Sequence, residues 1–157
     1  MAPTFLLDLD SLDLTRTVQD VAAIEAVNPH RPPMRLLDGV LWENESLTYG
    51  VAYHDVGEDE FWVPGHIPGR PLFPGVLMIE AAAQLASFMV LRRMPDHDFL
   101  GFAGVDEVKF RGQVVPGDRL LILMEQLEFR KRRSVCQTQG VVRGENVFEA
   151  KITGMPM

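Results

Sequence analysis

Apolar and polar residues alternate along several stretches of the chain, and this alternation predicts β-strands. The pattern is clearest over residues 47–53 and 105–111. Further apolar runs, separated by the turn-forming segments VPGD and RGEN, cover residues 119–129, 134–142 and 146–152. No helical pattern interrupts these later strands, so we expect them to pair as an antiparallel meander.

The most apolar stretch, Gly75–Leu91, has a different pattern, because its apolar residues would occupy nearly every face of a helix. We predict one long helix that begins after Pro74 and is buried on most sides. Glu80 and Gln84 lie near its middle and would be costly in a bilayer, so no membrane span is predicted. The fold class is therefore α+β, with an antiparallel sheet wrapped around one long central helix.

Weaker patterns precede the first strand. Residues 1–14 are expected to form a loose arm, and a short amphipathic helix is predicted within residues 15–27, ended by the prolines of NPHRPP. The acidic arm and short helix of residues 1–27 would then precede a single domain over residues 28–157. A chain of 157 residues is long enough for one such domain with a substantial core.

Composition and charge narrow the classes of function. The net charge of −7 argues against nucleic acid as the main partner. The single cysteine, Cys136, excludes an internal disulfide framework, and the N-terminus lacks a basic, apolar leader, so a cytoplasmic location is expected. The C-terminal part nevertheless contains the basic run RKRR, Arg130–Arg133. This run is either a solvated turn or a docking patch for an acidic partner.

The start of the long helix is a candidate binding site. Its first turn presents unpaired N–H groups, and glycine at Gly75 would let a ligand oxygen approach the backbone closely. Glu80 lies roughly 7.5 Å further along the helix axis, followed one turn later by Gln84 and then by Ser87 on the same face. Apolar surroundings would favour the protonated form of Glu80, which suits a general acid, but a structural acid is an equal alternative.

His66 is a candidate catalytic imidazole, because Pro64-Gly65 and Pro68-Gly69 flank it and would fix its backbone. A structural role is the alternative and is the more common one for a lone histidine. The remaining histidines, His30, His54 and His97, lack such a setting. A metal site is not expected, since there is one cysteine and no paired histidine spacing of the zinc type. A serine nucleophile is disfavoured by the absence of G-x-S-x-G from the sequence.

Three motifs resemble those of the bacterial 3-hydroxyacyl-acyl-carrier-protein dehydratases of fatty-acid synthesis. The segment GHIPGRPLFPGVLMIEAAAQ, residues 65–84, is similar to the motif G-H-F-P-G-x-P-x-x-P-G-V-L of that family. NPHRPPMRLLDGVL, residues 28–41, and FAGVDEVKFRGQVVPGD, residues 102–118, resemble two more of its motifs. The likeness runs from about Asn28 to the C-terminus, in the same order and with similar spacings.

The resemblance implies a hotdog fold and a homodimer joined edge to edge, often assembled further into a trimer of dimers. It also implies an active site at the dimer interface, with His and Glu from different subunits. His66 would remove the α-proton of the thioester, and Glu80 would protonate the departing hydroxyl. The N–H groups of Gly75 and Val76 would steady the thioester oxygen, with Gln84 in support. No metal or organic cofactor is expected.

The leading hypothesis is a dehydratase that converts (3R)-hydroxyacyl-acyl-carrier-protein to the trans-2-enoyl form in fatty-acid or related lipid biosynthesis. A hotdog acyl thioesterase and a non-catalytic accessory subunit that binds the acyl carrier protein are the alternatives. Carrier proteins of this kind are acidic, so docking is expected at basic side chains. The candidates are Arg130, Lys131, Arg132 and Arg133, with Arg92 and Arg93 as secondary candidates.

Overall fold

The computed structural model describes residues 4–157, and this part of the chain forms two α-helices and six β-strands. The helices are α1, Val21–Glu25, and α2, Gly75–Leu91. The strands are β1, Gly39–Glu43; β2, Tyr49–Asp55; β3, Leu100–Phe110; β4, Arg119–Arg130; β5, Arg133–Val142; and β6, Glu145–Pro156.

All six strands form one antiparallel sheet in the order β1-β2-β4-β5-β6-β3. The predicted meander is correct for β4, β5 and β6. It is wrong for β3, which pairs with β6 at the edge of the sheet instead of with β4. A strand has two hydrogen-bonding edges, and β2 and β5 already occupy those of β4.

The hairpin turn that joins β5 to β6 is Val142–Glu145, one residue earlier than the predicted RGEN. Its two central residues, Arg143 and Gly144, have φ values of 50° and 75°. Positive φ at both positions is typical of a type I′ turn, whose twist matches that of the strands it connects.

Helix α2 lies against one face of the sheet and contacts β2 to β6. Its last eight residues, Gln84–Leu91, are all buried, which confirms the predicted central helix. A narrow stripe on the other side stays partly exposed, comprising Val76, Ile79, Glu80 and Ala83. These positions recur every three or four residues and therefore share one face of the helix. The α+β architecture is as predicted, but within one chain this helix is not covered all round.

The N-terminal segment is packed, so the expectation of a loose arm is wrong for residues 4–14. Its apolar side chains cover Val51, Leu123 and Val141 on the sheet face opposite α2; they are Phe5, Leu6, Leu7, Leu9, Leu12 and Leu14. The Leu6 N–H also donates to Gln139 Oε1 at 2.8 Å. The cause is that β4 is apolar on both faces, so its outer face needs a cover. Residues 1–3 of the predicted arm lie outside the described range.

The short helix is present but shorter than the predicted segment. Asp20 accepts a hydrogen bond from the Ala23 N–H at 2.9 Å and so caps α1. Before it, Val18 and Gln19 hydrogen-bond to Val40 of β1, so this part of the chain extends the sheet. Within residues 4–157 no helix combines the length and apolar character needed to cross a membrane.

Candidate functional site

The loop between β2 and α2 holds the backbone of His66 by hydrogen bonds on both sides. The His66 N–H donates to the Trp62 carbonyl at 2.8 Å, and the Leu72 N–H donates to the His66 carbonyl at 3.0 Å. Between them, the Arg70 N–H donates to the Ile67 carbonyl at 2.9 Å and closes a turn. The rigidity predicted from the Pro-Gly pairs is therefore made by main-chain hydrogen bonds around the histidine.

The His66 ring is exposed, and one of its nitrogens is held. Nδ1 lies 2.7 Å from the Leu72 carbonyl oxygen. A carbonyl can only accept, so Nδ1 carries the hydrogen and donates it. In the neutral ring Nε2 then has the free lone pair. This arrangement leaves Nε2 available as a base.

His66 opens onto a cavity of about 380 Å³ at the start of α2. The walls include Gly75, Val76 and Phe110, together with Leu72 and Phe73. Helix N-termini leave N–H groups without intrahelical partners. Among the residues described, none accepts a hydrogen bond from the N–H of Gly75 or Val76. The cavity thus combines a free imidazole nitrogen with unpaired backbone N–H donors. Such donors are what an oxyanion site requires.

The Phe110 ring lies where a larger residue at position 75 would place its Cβ. A Cβ at Gly75 would lie 2.8 Å from Cε1 of the Phe110 ring, which is closer than real Cβ contacts allow. The sequence predicted that glycine would leave room for a ligand oxygen. The structure shows that the room on the Cβ side is filled by the last residue of β3.

Glu80 does not line this cavity, and its carboxylate is held on one side. Oε1 accepts a hydrogen bond from Gln84 Nε2 at 3.0 Å and lies 3.5 Å from His30 Nε2. No described residue hydrogen-bonds to Oε2 in the single chain. The side chain is 26% exposed, so Glu80 is less buried than expected. It lies on the uncovered stripe of α2.

Gln84 is buried, and its amide orientation is fixed. Its Oε1 accepts from the Leu36 N–H at 2.8 Å, and its Nε2 donates to the Met34 carbonyl at 2.7 Å. The remaining hydrogen on Nε2 therefore points to Glu80. Gln84 thus holds the Glu80 carboxylate from one side, and Ser87 continues the buried polar row by donating to Asn28 at 2.9 Å.

His30 is a contact of the acid that the sequence did not single out. Its Nδ1 is buried and has no hydrogen-bond partner in the described chain, while Nε2 faces Glu80. Burial lowers the pKa of His30, and the opposing charge of Glu80 does not fully offset it. His30 lies in the NPHRPP segment, which belongs to one of the motifs that resemble the dehydratase family, and that resemblance was a signal for it. The segment is far from Glu80 in sequence, so the contact between the two residues could not be predicted.

His54 is a second residue that sequence reasoning missed. It is buried between two carboxylates, with Nδ1 3.0 Å from Asp38 and Nε2 2.7 Å from Glu60. Burial disfavours the charged ring, but the adjacent carboxylates of Asp38 and Glu60 outweigh it and raise the pKa of His54 to about 9. His54 is therefore an imidazolium at neutral pH.

The basic run lies at the turn between β4 and β5. Side chains of Arg130 and Arg133 are 76% and 58% exposed, and both face Glu128. The secondary docking candidates, Arg92 and Arg93, already have partners within the same chain. Arg92 forms a bidentate pair with Glu43, and Arg93 stacks on Phe129.

Cys136 is buried, and burial raises the pKa of its thiol to about 11. A thiol in that state is a poor nucleophile. Residues 4–157 contain no group of three His, Cys, Asp or Glu side chains arranged to hold a metal ion.

Comparisons with known proteins assign the family. The FabA-like domain matches residues 28–151. A FabZ 3-hydroxyacyl-[acyl-carrier-protein] dehydratase from Desulforamulus reducens is 40% identical over 135 residues, covering 85% of this chain and 94% of the relative. One from Anaeromyxobacter is 37% identical over 145 residues, covering 88% and 90%.

Among solved structures, the dehydratase heterocomplex ApeI:P from Xenorhabdus doucetiae is similar at a TM-score of 0.73 and 18% identity. The match covers 90% of this chain and 93% of the chain in that structure, so it supports the predicted hotdog fold. The fold, the match over residues 28–151 and the identity to the FabZ relatives agree with the motif resemblance. The chain belongs to the FabA-like family of hotdog-fold dehydratases, which are hydro-lyases.

Proposed function

We propose that this dehydratase converts (3R)-hydroxyacyl-acyl-carrier-protein to the trans-2-enoyl thioester in fatty-acid or related lipid biosynthesis. One observation carries the proposal. His66 Nε2 is left free as a base, in a cavity that also contains the unpaired N–H groups of Gly75 and Val76. The names of the FabZ relatives give the substrate class.

The proposed elimination uses these groups in turn. His66 Nε2 removes a proton from C2 of the thioester, and the electron pair of that C–H bond shifts toward the carbonyl. The N–H groups of Gly75 and Val76 stabilise the resulting enolate oxygen. As the C2–C3 double bond forms, the C3–O bond breaks, and Glu80 donates a proton to the hydroxyl, which leaves as water. The reaction needs no metal or organic cofactor.

We propose further that Glu80 comes from a second copy of the chain. Glu80 is absent from the walls of the cavity that contains His66. Phe110 lines this cavity and is also the last residue of β3, whose outer edge has no strand partner among the described residues. Unpaired edges favour pairing with another strand. Exposed Phe102 and Val105 on β3 and the uncovered stripe of α2 are apolar surface suited to a homodimer.

Mixed dimers test the shared site. His66→Ala and Glu80→Gln should each be inactive alone. When equal amounts of the two are unfolded and refolded together, a mixed dimer regains one intact site, and roughly a quarter of wild-type activity should return. Absence of recovery, with mixed dimers demonstrated by mass spectrometry, would show that His66 and Glu80 act within one chain.

The reaction itself is tested with a panel of 3-hydroxyacyl-carrier-protein substrates of different chain lengths. Enoyl absorbance should appear without free acid. Release of free acid would instead select a thioesterase, and binding of acyl carrier protein without turnover would select an accessory subunit. Assembly into a trimer of dimers and a cytoplasmic location stay predictions.

We also propose that the acyl carrier protein docks on the turn Arg130–Arg133. Within one chain this turn is far from the cavity. Phe110 is level with Ile122 of β4 through the register of β6 and β5, and Arg130 lies roughly 26 Å beyond Ile122 at about 3.3 Å per residue. Antiparallel pairing of two β3 strands would bring the turn of one protomer to the end of the joined sheet where the other protomer has its cavity. Docking on one protomer would then serve the site of its partner.

A further inference from the structure

The cluster Asp38–His54–Glu60 joins three segments that are separate in sequence. Asp38 precedes β1, His54 belongs to β2, and Glu60 lies in the loop that leads to His66. The second carboxylate oxygen of Glu60 accepts from the Gly57 N–H at 2.8 Å, and Asp38 Oδ2 accepts from the Asp55 N–H at 2.7 Å. Each carboxylate therefore fixes a piece of backbone as well as the imidazolium.

A continuous path of contacts leads from this cluster to the backbone of His66. The Val63 N–H donates to the Glu60 carbonyl at 3.0 Å, and the His66 N–H donates to the Trp62 carbonyl at 2.8 Å. Because His54 contacts Glu60, the short loop from Glu60 to His66 is held at its first residue. A displacement of Glu60 would therefore pass directly to His66.

A second path runs through packed rings. The ring of Phe73 lies 5.5 Å from that of His54 and 5.4 Å, edge-on, from that of Trp62. Phe73 is also a wall of the cavity that contains His66. The same imidazolium thus supports both the loop that carries the base and the wall beside it.

The carboxylates of Asp38 and Glu60 favour a positively charged side chain at position 54. Arg35 also pairs with Asp38, with Nη1 3.5 Å from Asp38 Oδ1, but none of its contacts reaches Glu60. The other charged residues that line the adjoining surface cavity are all acidic: Asp55, Glu58 and Asp59. A neutral side chain at position 54 would leave the partly buried Glu60 without its counter-charge.

We propose that Asp38, His54 and Glu60 position the His66 loop for catalysis, and that the positive charge of His54 is the property this requires. His54 is a positioning residue, since it contacts neither the cavity nor the substrate. The proposal rests on the proposed dehydration for its kinetic test, but its structural test is independent of activity.

The kinetic test compares His54→Gln, which removes the charge, with His54→Lys, which keeps it. His97→Gln is the matched control, because it removes a histidine remote from both sites. In folded protein, His54→Gln should lower kcat about 10-fold with KM changed less than twofold, since a displaced base loses rate more than binding. His54→Lys should recover most of the loss, and His97→Gln should match the wild type.

The structural test follows the His66 ring by nitrogen NMR, with the resonance assigned by its loss in His66→Ala. The wild type and His54→Lys should show one tautomer with the hydrogen on Nδ1, and His54→Gln should show exchange between tautomers. An unchanged kcat and His66 spectrum in folded His54→Gln would overturn the proposal, as would a His54→Lys variant no better than His54→Gln. If the wild type lacks dehydratase activity while the spectra change as expected, the proposed function fails and the positioning role stands.

Discussion

His54 and His66 belong to the same stretch of chain and have opposite surroundings. His54 is buried, and both of its ring nitrogens face carboxylates, from Asp38 and Glu60. His66 is exposed, and only Nδ1 has a partner, the Leu72 carbonyl. Both nitrogens of His54 therefore lie against charged groups of the fold. His66 is held at one nitrogen, and its second nitrogen is free.

Glu80 follows the pattern of His66. One carboxylate oxygen is held by Gln84 and faces His30, while the other has no hydrogen-bond partner in the described chain. A group that is oriented at one atom and free at another is well suited to move a proton. The number of occupied atoms, more than residue type, distinguishes the proposed catalytic groups, His66 and Glu80, from His54.

Replacing His66 should give the largest effect on activity. His66→Ala removes the free nitrogen, so kcat/KM should fall roughly 10³-fold, the range typical of a general base. The melting temperature should stay near that of the wild type, because the exposed ring contributes little to packing. Steady-state kinetics and thermal unfolding of the same preparation check both. An equal loss of activity in His54→Gln would erase the distinction between the two histidines.

Glu80→Gln should lower kcat/KM about 10²-fold, because the amide preserves size and cannot donate a carboxylic acid proton. The contact with Gln84 needs only an acceptor at this position, so folding should be unaffected. Kinetics and circular dichroism measure the two effects. An active Glu80→Gln variant would reassign the acid.

Replacing His54 should lower stability in addition to its smaller effect on kcat. His54→Gln leaves Asp38 and Glu60 without the imidazolium, and the free energy of unfolding at pH 7 should fall by on the order of 2 kcal/mol. Urea unfolding measures the change, and His97→Gln serves as the control. A variant as stable as the wild type would mean that the cluster contributes nothing net to the fold.

The same contribution should vanish at high pH. The pKa of His54 is raised from 6.5 to about 9 in the folded protein. The stabilisation is therefore complete below pH 6.5 and is lost as the pH rises through about 9. The difference in unfolding free energy between wild type and His54→Gln should shrink between pH 7 and 10. A difference that stays constant over this range would show that His54 is not charged.

The smallest expected effect concerns docking. Reversing Arg130 and Arg132 to glutamate should raise KM for an acyl-carrier-protein substrate several-fold and leave kcat unchanged, because docking charges act on encounter. The effect should weaken with added salt. A small thioester substrate without the carrier is the control. An unchanged KM for the carrier substrate would remove this turn from the docking surface.

Local patterns predicted part of this molecule well. The course of α2, five of the six strands and the approximate position of the β5–β6 turn follow from periodicity and from turn residues such as Gly144. The first strand, β1, was not predicted. His66, Gly75 and Val76 come together because they are close in sequence. The pairing of β3 with β6, the packed arm of residues 4–14 and the cluster around His54 depend on distant segments. No local pattern contains that information.

Phe110 joins two parts of the molecule that would otherwise be independent. Its ring packs against the Cα of Gly75, where α2 begins, and its backbone ends the edge strand β3. A second chain bound along that edge would brace the ring and, through it, the start of the helix. Specific activity should therefore decline on dilution in step with dissociation of the proposed dimer, and saturating substrate, which binds only the completed site, should shift this decline to lower protein concentration.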